Sequence, residues 1–250
     1  MSEELNFKQE LTAVLGQPVA ENPTQAMVEA AYRHHGLEWR YLTIEVSPDD
    51  LGAAVEGARA MGFRGFNLTI PHKVAVMEYL DEIAESARLI GAVNCVVQRG
   101  EMFVGENTDG KGFLESLREA RDPAGARVAL LGAGGAARAI SVELGLAGVA
   151  EIVVFNRSSE RGKDLVARIG EATGVTSRYV PWSDSIQVPA DTDILVNATS
   201  IGLYPDTKDI PPLDFESLGP ETLVADVIPN PPRTPFLERA AGCGCTTIDG

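Results

Sequence analysis

Residues 39–46 alternate apolar and polar side chains as a strand does, and residues 11–19 and 63–70 read as its companions. Between them, residues 24–35 carry a helical pattern that stops at Gly36. Ser47-Pro48-Asp49-Asp50 opens a second helix running to Gly62, with a capping hydroxyl, proline at the first helical position and acids at the positive end of the dipole. Pro71 ends the third strand. Residues 72–90 are then expected to be helical, in one piece or two, as far as Gly91. A hairpin follows over 92–97 and 102–105 around Arg99-Gly100, then a helix over 108–121 that Asp122-Pro123-Ala124-Gly125 breaks.

Past that break the β runs become shorter and purer: 127–131, 151–155, 176–180, 194–197, 223–227 and 246–248, separated by helices or loops. Alternation at this spacing predicts a right-handed, parallel, doubly wound sheet. The chain therefore reads as α/β with two domains, 1–112 and 113–250, and a ligand crevice between them.

The first β run of the second half leads into Gly132-Ala133-Gly134-Gly135-Ala136-Ala137-Arg138. Gly132 allows a tight turn, Gly134 lets a pyrophosphate approach the backbone, and Ala137 fits where helix and strand pack closely. The N–H groups opening the new helix, at Gly135 and Ala136, face the phosphates. A bare G-x-G-x-x-A string is common; one that follows a strand and opens a helix at the head of a β/α run is a dinucleotide site. About 20 residues on, where an NAD site carries an acid, stand Asn156-Arg157-Ser158-Ser159-Glu160-Arg161. Asn156, Arg157, Ser158 and Arg161 suit a 2′-phosphate, which a carboxylate would repel, so the cofactor is expected to be NADP. Asn197, Thr199, Ser200 and Gly202 follow another strand, at the sheet end that lines the crevice.

In the first half, Asn67 and Thr69 share a strand face and Lys73 follows, at what reads as a helix start, where a cation meets the positive dipole end. Asn94 and Asp109 add an amide and an acid. Together they supply what a carbinol–carbonyl redox site needs: a Lys–Asp pair to exchange the hydroxyl proton, and donors to fix a polyol.

The stretches Asn67–Lys73, Gly91–Asn94, Asn107–Asp109, Gly132–Arg138, Asn156-Arg157 and Asn197–Gly202 resemble, in order, the motif series of the shikimate/quinate dehydrogenases. The resemblance implies an N-terminal substrate domain joined to a Rossmann NADP domain, often dimeric, and the reversible reduction of 3-dehydroshikimate to shikimate on the route to chorismate and the aromatic amino acids. It implies Lys73 and Asp109 as the catalytic pair, with Asn67, Thr69, Asn94 and Asp109 holding the ring hydroxyls. Three departures fall on the substrate. A Ser-x-Ser-Pro loop that binds the substrate carboxylate is usual in the family. Here Gly16-Gln17-Pro18-Val19-Ala20-Glu21-Asn22-Pro23-Thr24 has no serine and one acid, leaving Asn22 or Thr24 as substitutes. Pro229 stands where the family has a tyrosine, and the residues through Gly250 do not include the glutamine-bearing helix usual in the family. A relative acting on quinate, an aminoshikimate-like compound or another cyclic polyol is the second reading. A catalytically silent NADP-binding regulator is the third; Lys73 and Asp109 count against it.

The net charge of −15, from 36 acids against 21 bases, disfavours nucleic acid and anionic membrane as partners. No apolar run approaches the roughly 20 residues of a membrane span. The start, Met-Ser-Glu-Glu-Leu-Asn, lacks the pattern of a signal peptide. Three cysteines, Cys95, Cys243 and Cys245, make no disulfide framework, and no cluster has metal spacing. A cytoplasmic enzyme of a small cyclic hydroxy acid or polyol, without metal, is the expectation. His72 is expected to be exposed, and Trp39 and Trp182 to be packing residues.

Overall fold

Two six-stranded sheets form, one in each half of the chain. The computed structural model describes residues 7–250; the leading six, which the signal-peptide reading used, lie outside the described residues. The chain divides into two compact units, the first ending at Thr108 and the second beginning at Asp109. The sequence places the junction at 112/113.

The first unit contains β1 (Glu10–Gly16), β2 (Trp39–Glu45), β3 (Gly65–Leu68), β4 (Glu82–Ile83), β5 (Cys95–Arg99) and β6 (Met102–Glu106). Their order is β2-β1-β3-β5-β6-β4, parallel through β1–β3, with β5 antiparallel to both β3 and β6. Three α-helices accompany them: α1 (Thr24–His34), α2 (Leu51–Ala60) and α3 (Glu85–Ile90). The expected cap at Ser47 is present, its hydroxyl accepting from the Asp50 amide at 3.3 Å, although the first turn behind it is 3-10. One sheet face packs Ala13, Leu15, Phe66, Val96 and Phe103 against Val55 and Val76. On the other, Val14 and Tyr41 meet Val28 and Tyr32 of α1.

The stretch 72–90 differs from its helical pattern. It forms turns, a 3-10 segment (Ala75–Tyr79), the short strand β4, and only then α3. Tertiary pairing wins over periodicity here. The Asp81 amide donates to the Phe103 carbonyl at 3.1 Å, and the Asp81 carboxylate accepts from the Phe103 amide at 2.7 Å and from Arg59 at 2.9 Å. The backbone is thereby drawn out alongside β6. Lys73 consequently sits in a turn, not at an α-helix start, and the dipole argument for it lapses. His72 is also not exposed. It is 1% accessible, and its Nε2 lies 2.8 Å from the Val46 carbonyl, pinning the turn to the end of β2.

The second unit runs α4 (Asp109–Ala120), β7 (Arg127–Leu131), α5 (Gly135–Leu146), β8 (Glu151–Asn156), α6 (Ser159–Thr173), β9 (Thr176–Pro181), β10 (Ile194–Asn197), β11 (Leu223–Asp226), α7 (Pro235–Gly242) and β12 (Thr246–Ile248). All six strands are parallel, in the order β12-β11-β10-β7-β8-β9. The inner strands β7, β8, β10 and β11 are mostly apolar because both faces are covered, whereas the edge strands β9 and β12 carry polar residues. Val128, Leu130, Val154 and Val196 face one cluster, and Ala129, Leu131, Phe155 and Leu195 the other. Strand order reverses at β7/β10, the switch point beyond whose carboxyl ends ligands bind in such sheets. No described helix is long and apolar enough to cross a membrane, and the described residues hold no group of three His, Cys, Asp or Glu able to hold a metal.

In the first unit the buried Tyr41 hydroxyl donates to Asn67 Oδ1 at 2.7 Å. Burial holds the phenol well above its ordinary ionisation range, with Tyr32 nearby adding to the effect, so it serves as a neutral donor. Tyr41→Phe removes that donor and leaves an amide oxygen in a part-buried site short of a partner. Unfolding free energy is expected to fall by about 1–3 kcal/mol, read from urea midpoints at constant slope.

Candidate active site

The turn from β7 into α5 explains itself residue by residue. Gly132 has φ +105°, and a side chain there would meet the Ala198 carbonyl oxygen at 2.8 Å. Its amide donates to the Phe155 carbonyl at 2.8 Å, drawing the turn across the top of β8. At Gly134 and Gly135 an added Cβ would find nothing within 4 Å. Gly134 is the N-cap of α5 and provides no side-chain cap, leaving the first N–H groups of the helix to another acceptor. An open glycine surface before uncapped amides is the ground a pyrophosphate needs, so the chain fits a dinucleotide on structural evidence.

A cavity of about 390 Å³ lies over this turn. Of the residues expected to bind cofactor, Gly132, Gly134, Gly135, Ala136, Asn156, Arg157, Arg161, Thr199 and Ser200 line it. Ser158 and Asn197 are not among its lining residues, and both make local contacts. The Ser158 hydroxyl caps α6, accepting from the Arg161 amide at 3.3 Å, which starts the helix so that Arg161 falls in its first turn. Asn197 is fully buried. Its Oδ1 accepts from the Thr199 amide and hydroxyl at 3.2 and 2.7 Å, and its Nδ2 donates to Asp226 at 3.0 Å. It shapes the loop that carries Thr199 and Ser200 to the cavity.

Asp226 gave no functional signal in the sequence beyond an acid ending an apolar strand. It is 2% accessible and accepts from Asn197, from the Ile228 amide at 3.3 Å and from the Thr234 hydroxyl at 2.7 Å. Burial pushes its carboxyl above the usual range, and the donors facing it, Thr234 first, pull the other way. Through this one side chain β10, the loop after β11 and the start of α7 are tied together beneath Val227, Ile228 and Pro229, which also line the cavity. Leu203 and Trp182 also line the cavity and were missed by sequence reasoning.

No acid lines the cavity beside Asn156, and Arg157 and Arg161 do. Arg157→Ala is expected to weaken NADP⁺ binding by roughly tenfold, the worth of one charge-assisted hydrogen bond at an exposed position. NAD⁺ affinity should be unchanged. Titration of the two cofactors by calorimetry checks the difference.

Of the substrate-binding residues named from the sequence, Asn67, Thr69 and Asn94 lie at the carboxyl end of β3 and the bend before β5, Asn22 is in the loop after β1, and Asp109 opens the second unit. Asn67 donates through Nδ2 to the Asn94 carbonyl at 3.2 Å while Tyr41 holds its oxygen, so the orientation of its amide is fixed. The Thr69 amide donates to the Leu15 carbonyl at 3.0 Å and its carbonyl accepts from the His72 amide at 2.9 Å, which sets the turn bearing Lys73. The Lys73 carbonyl accepts from the Val93 amide at 2.7 Å, joining that turn to the Gly91–Asn94 bend. Asn94 is buried and holds Thr108: its Oδ1 accepts the Thr108 amide at 2.8 Å, and its Nδ2 donates to the Thr108 hydroxyl at 2.9 Å. Asp109, the first residue of α4, follows directly. In the first loop Glu21 is exposed, and Asn22 Oδ1 accepts from the Thr24 amide at 2.9 Å, so that oxygen is committed to starting α1.

Comparison with known proteins agrees with both halves. Residues 14–96 match the family model for the shikimate dehydrogenase substrate binding domain, and residues 116–208 that for shikimate / quinate 5-dehydrogenase. An NADP(+) shikimate dehydrogenase of Desulforamulus reducens is 40% identical over 250 residues, 98% of this chain and 86% of the relative. A crystal structure of the ligand-free form of the 5-ketofructose reductase of a Gluconobacter strain is 54% identical, with a TM-score of 0.95 over 98% of this chain and 88% of the other. The shikimate 5-dehydrogenase of Listeria monocytogenes, solved with shikimate and NAD, is 32% identical, with a TM-score of 0.91 over 100% of this chain and 89% of the other.

Proposed function

The chain belongs to the shikimate/quinate dehydrogenase family, and from that premise we propose how it works as an NADP-dependent dehydrogenase acting on a CH–OH group. The observation that carries the cofactor is the cavity of the second unit, whose glycine turn and uncapped helix suit a pyrophosphate and whose Asn156, Arg157 and Arg161 suit a 2′-phosphate. A dinucleotide held by these residues would supply reversible hydride transfer. Lys73 and Asp109 exchange the proton at the substrate oxygen, the ammonium stabilising charge on that oxygen as the carbonyl is reduced. Asn67, Thr69 and Asn94 orient the neighbouring hydroxyls. Tyr41 holds the Asn67 amide, and Asn94 holds Thr108 next to the acid.

Reversible reduction of 3-dehydroshikimate to shikimate is the reading supported by the NADP(+) shikimate dehydrogenases that are about 40% identical over nearly the whole chain. A second reading is favoured by the first loop. Shikimate carries a carboxylate, and this loop offers it no serine, an exposed Glu21, and an Asn22 whose oxygen already serves Thr24. Pro229 has no hydroxyl to add. An uncharged polyhydroxy ketone, of the kind named for the 54% identical Gluconobacter reductase, asks for none of these. At the position that would anchor an acid, the second reading fits the residues better. The deciding experiment follows NADPH absorbance with purified enzyme and 3-dehydroshikimate, 3-dehydroquinate or 5-ketofructose, each in turn. Turnover of 3-dehydroshikimate supports the first reading. Turnover of the uncharged ketone alone supports the second. Inactivity on all three with NADPH bound would remove both.

A further inference from the structure

Of the residues lining the cofactor cavity, Trp182 is the one aromatic side chain. It follows β9 directly, and its backbone amide donates to the Asn156 carbonyl at 3.2 Å. Pro181 is the register partner of Asn156 across β8 and β9, so Trp182 stands one step beyond the residue at the ribose position. Trp182 is partly buried, packs against an apolar cluster of the sheet and contributes to the cavity lining, as do Arg157 and Arg161. A base carried by a ribose at Asn156 would lie on this side of the cavity, where Trp182 is the aromatic residue.

We propose that Trp182 is the adenine-binding wall of this enzyme, stacking its indole on the purine and fixing the base while Asn156, Arg157 and Arg161 take the phosphate. The inference rests on the cofactor assignment above. Its physical content is the attraction between two polarisable π systems that both leave water, an interaction insensitive to the redox state of the distant nicotinamide. Trp182 therefore acts on affinity for the adenine half and leaves the chemical step alone.

The chain has two tryptophans, Trp39 and Trp182. Calorimetry and tryptophan fluorescence are run on wild type, Trp182→Leu and Trp182→Phe with three probes: NADP⁺, 2′,5′-ADP and nicotinamide mononucleotide. Wild type is expected to bind NADP⁺ and 2′,5′-ADP with quenching of fluorescence. In Trp182→Leu both should bind about tenfold more weakly, with the quench lost and binding of nicotinamide mononucleotide unchanged. Trp182→Phe, which keeps a ring, should recover part of the affinity, and the loss in Trp182→Leu should show as a raised KM for NADP⁺. Unchanged 2′,5′-ADP affinity in Trp182→Leu, or a quench that persists without Trp182, overturns the inference and leaves the cofactor assignment standing. Failure of wild type to bind NADP⁺ and 2′,5′-ADP at all overturns both. Equal weakening for nicotinamide mononucleotide identifies a general packing role and likewise overturns the inference.

Discussion

Lys73→Ala is expected to lower kcat by about 10²- to 10⁴-fold, the range lost when a positioned proton-transfer group is removed. NADP⁺ affinity should stay within about twofold of wild type, since every residue lining the dinucleotide cavity belongs to the second unit. The substitution is local. The turn that carries Lys73 is held by backbone bonds, from Val93 to the Lys73 carbonyl and from His72 to the Thr69 carbonyl, and by the buried His72 ring on Val46. None of these involves the lysine side chain, so the variant should fold. Steady-state kinetics beside NADP⁺ titration separates the outcomes. Turnover within tenfold of wild type would remove Lys73 from the proton-transfer step, and a matching loss of NADP⁺ affinity would point to a wider disturbance.

The second large effect is expected at the seam between α4 and α5. Gly110, the second residue of α4, lies so close to α5 that a Cβ would meet the Ala139 carbonyl oxygen at 2.5 Å and the Ala139 carbonyl carbon and Glu143 Cγ at 2.8 Å each. Backbone atoms cannot rotate aside, so one helix must move. Gly110→Ala should cost about 3 kcal/mol, the upper end for overpacking, and lower Tm by roughly 6–12 °C in a chain of this size. Because α5 starts at the glycine turn and α4 starts at Asp109, loss of cofactor affinity and turnover should accompany it. Gly112, two residues along the same helix, is the control: a Cβ there finds nothing within 4 Å. Gly112→Ala should be neutral or stabilising by up to about 1 kcal/mol, because alanine is the better helix former. Thermal melts of the two variants with opposite signs establish the seam; equal shifts would refute it.

The legible parts of the sequence were those whose requirements are local. The Gly132–Ala137 turn depends on backbone freedom and helix-end amides, and the composition of six residues displays both. The apolar strands of the second unit are legible because a parallel sheet covered on two sides leaves little ambiguity of register. Residues 72–90 misled because Val76, Leu80, Ile83 and Ala87 satisfy helical spacing and yet serve the first core from a 3-10 segment, a loop, a short strand and a helix in turn. What decided the matter was Asp81 bonding to Phe103, a contact 22 residues away that no window reveals. Lys73 was singled out from a dipole conflict that the turn there does not contain, though its place beside Thr69 and the Val93 bend gives it another warrant. Trp182 packs against the core as expected, and its additional place in the cavity lining was not legible because a strand-end tryptophan looks the same whether it meets solvent or a cavity. Asn197 and Ser158, read as ligands, also hold the loops of their neighbours, since short polar side chains next to a binding segment suit either task.

The buried Asp226 bears on when the cofactor site takes its form. The amides of Thr199 and Ile228 lie outside any strand or helix, yet each donates to a side chain in the Asn197–Asp226–Thr234 group, which water does not reach. Such loop amides should exchange with deuterium on the slow timescale of the sheet rather than the fast one of surface loops. The loops beside the dinucleotide are then already ordered in the empty protein. Much of the configurational entropy that ligand binding would otherwise remove has been surrendered during folding, so association resembles docking onto a fixed template.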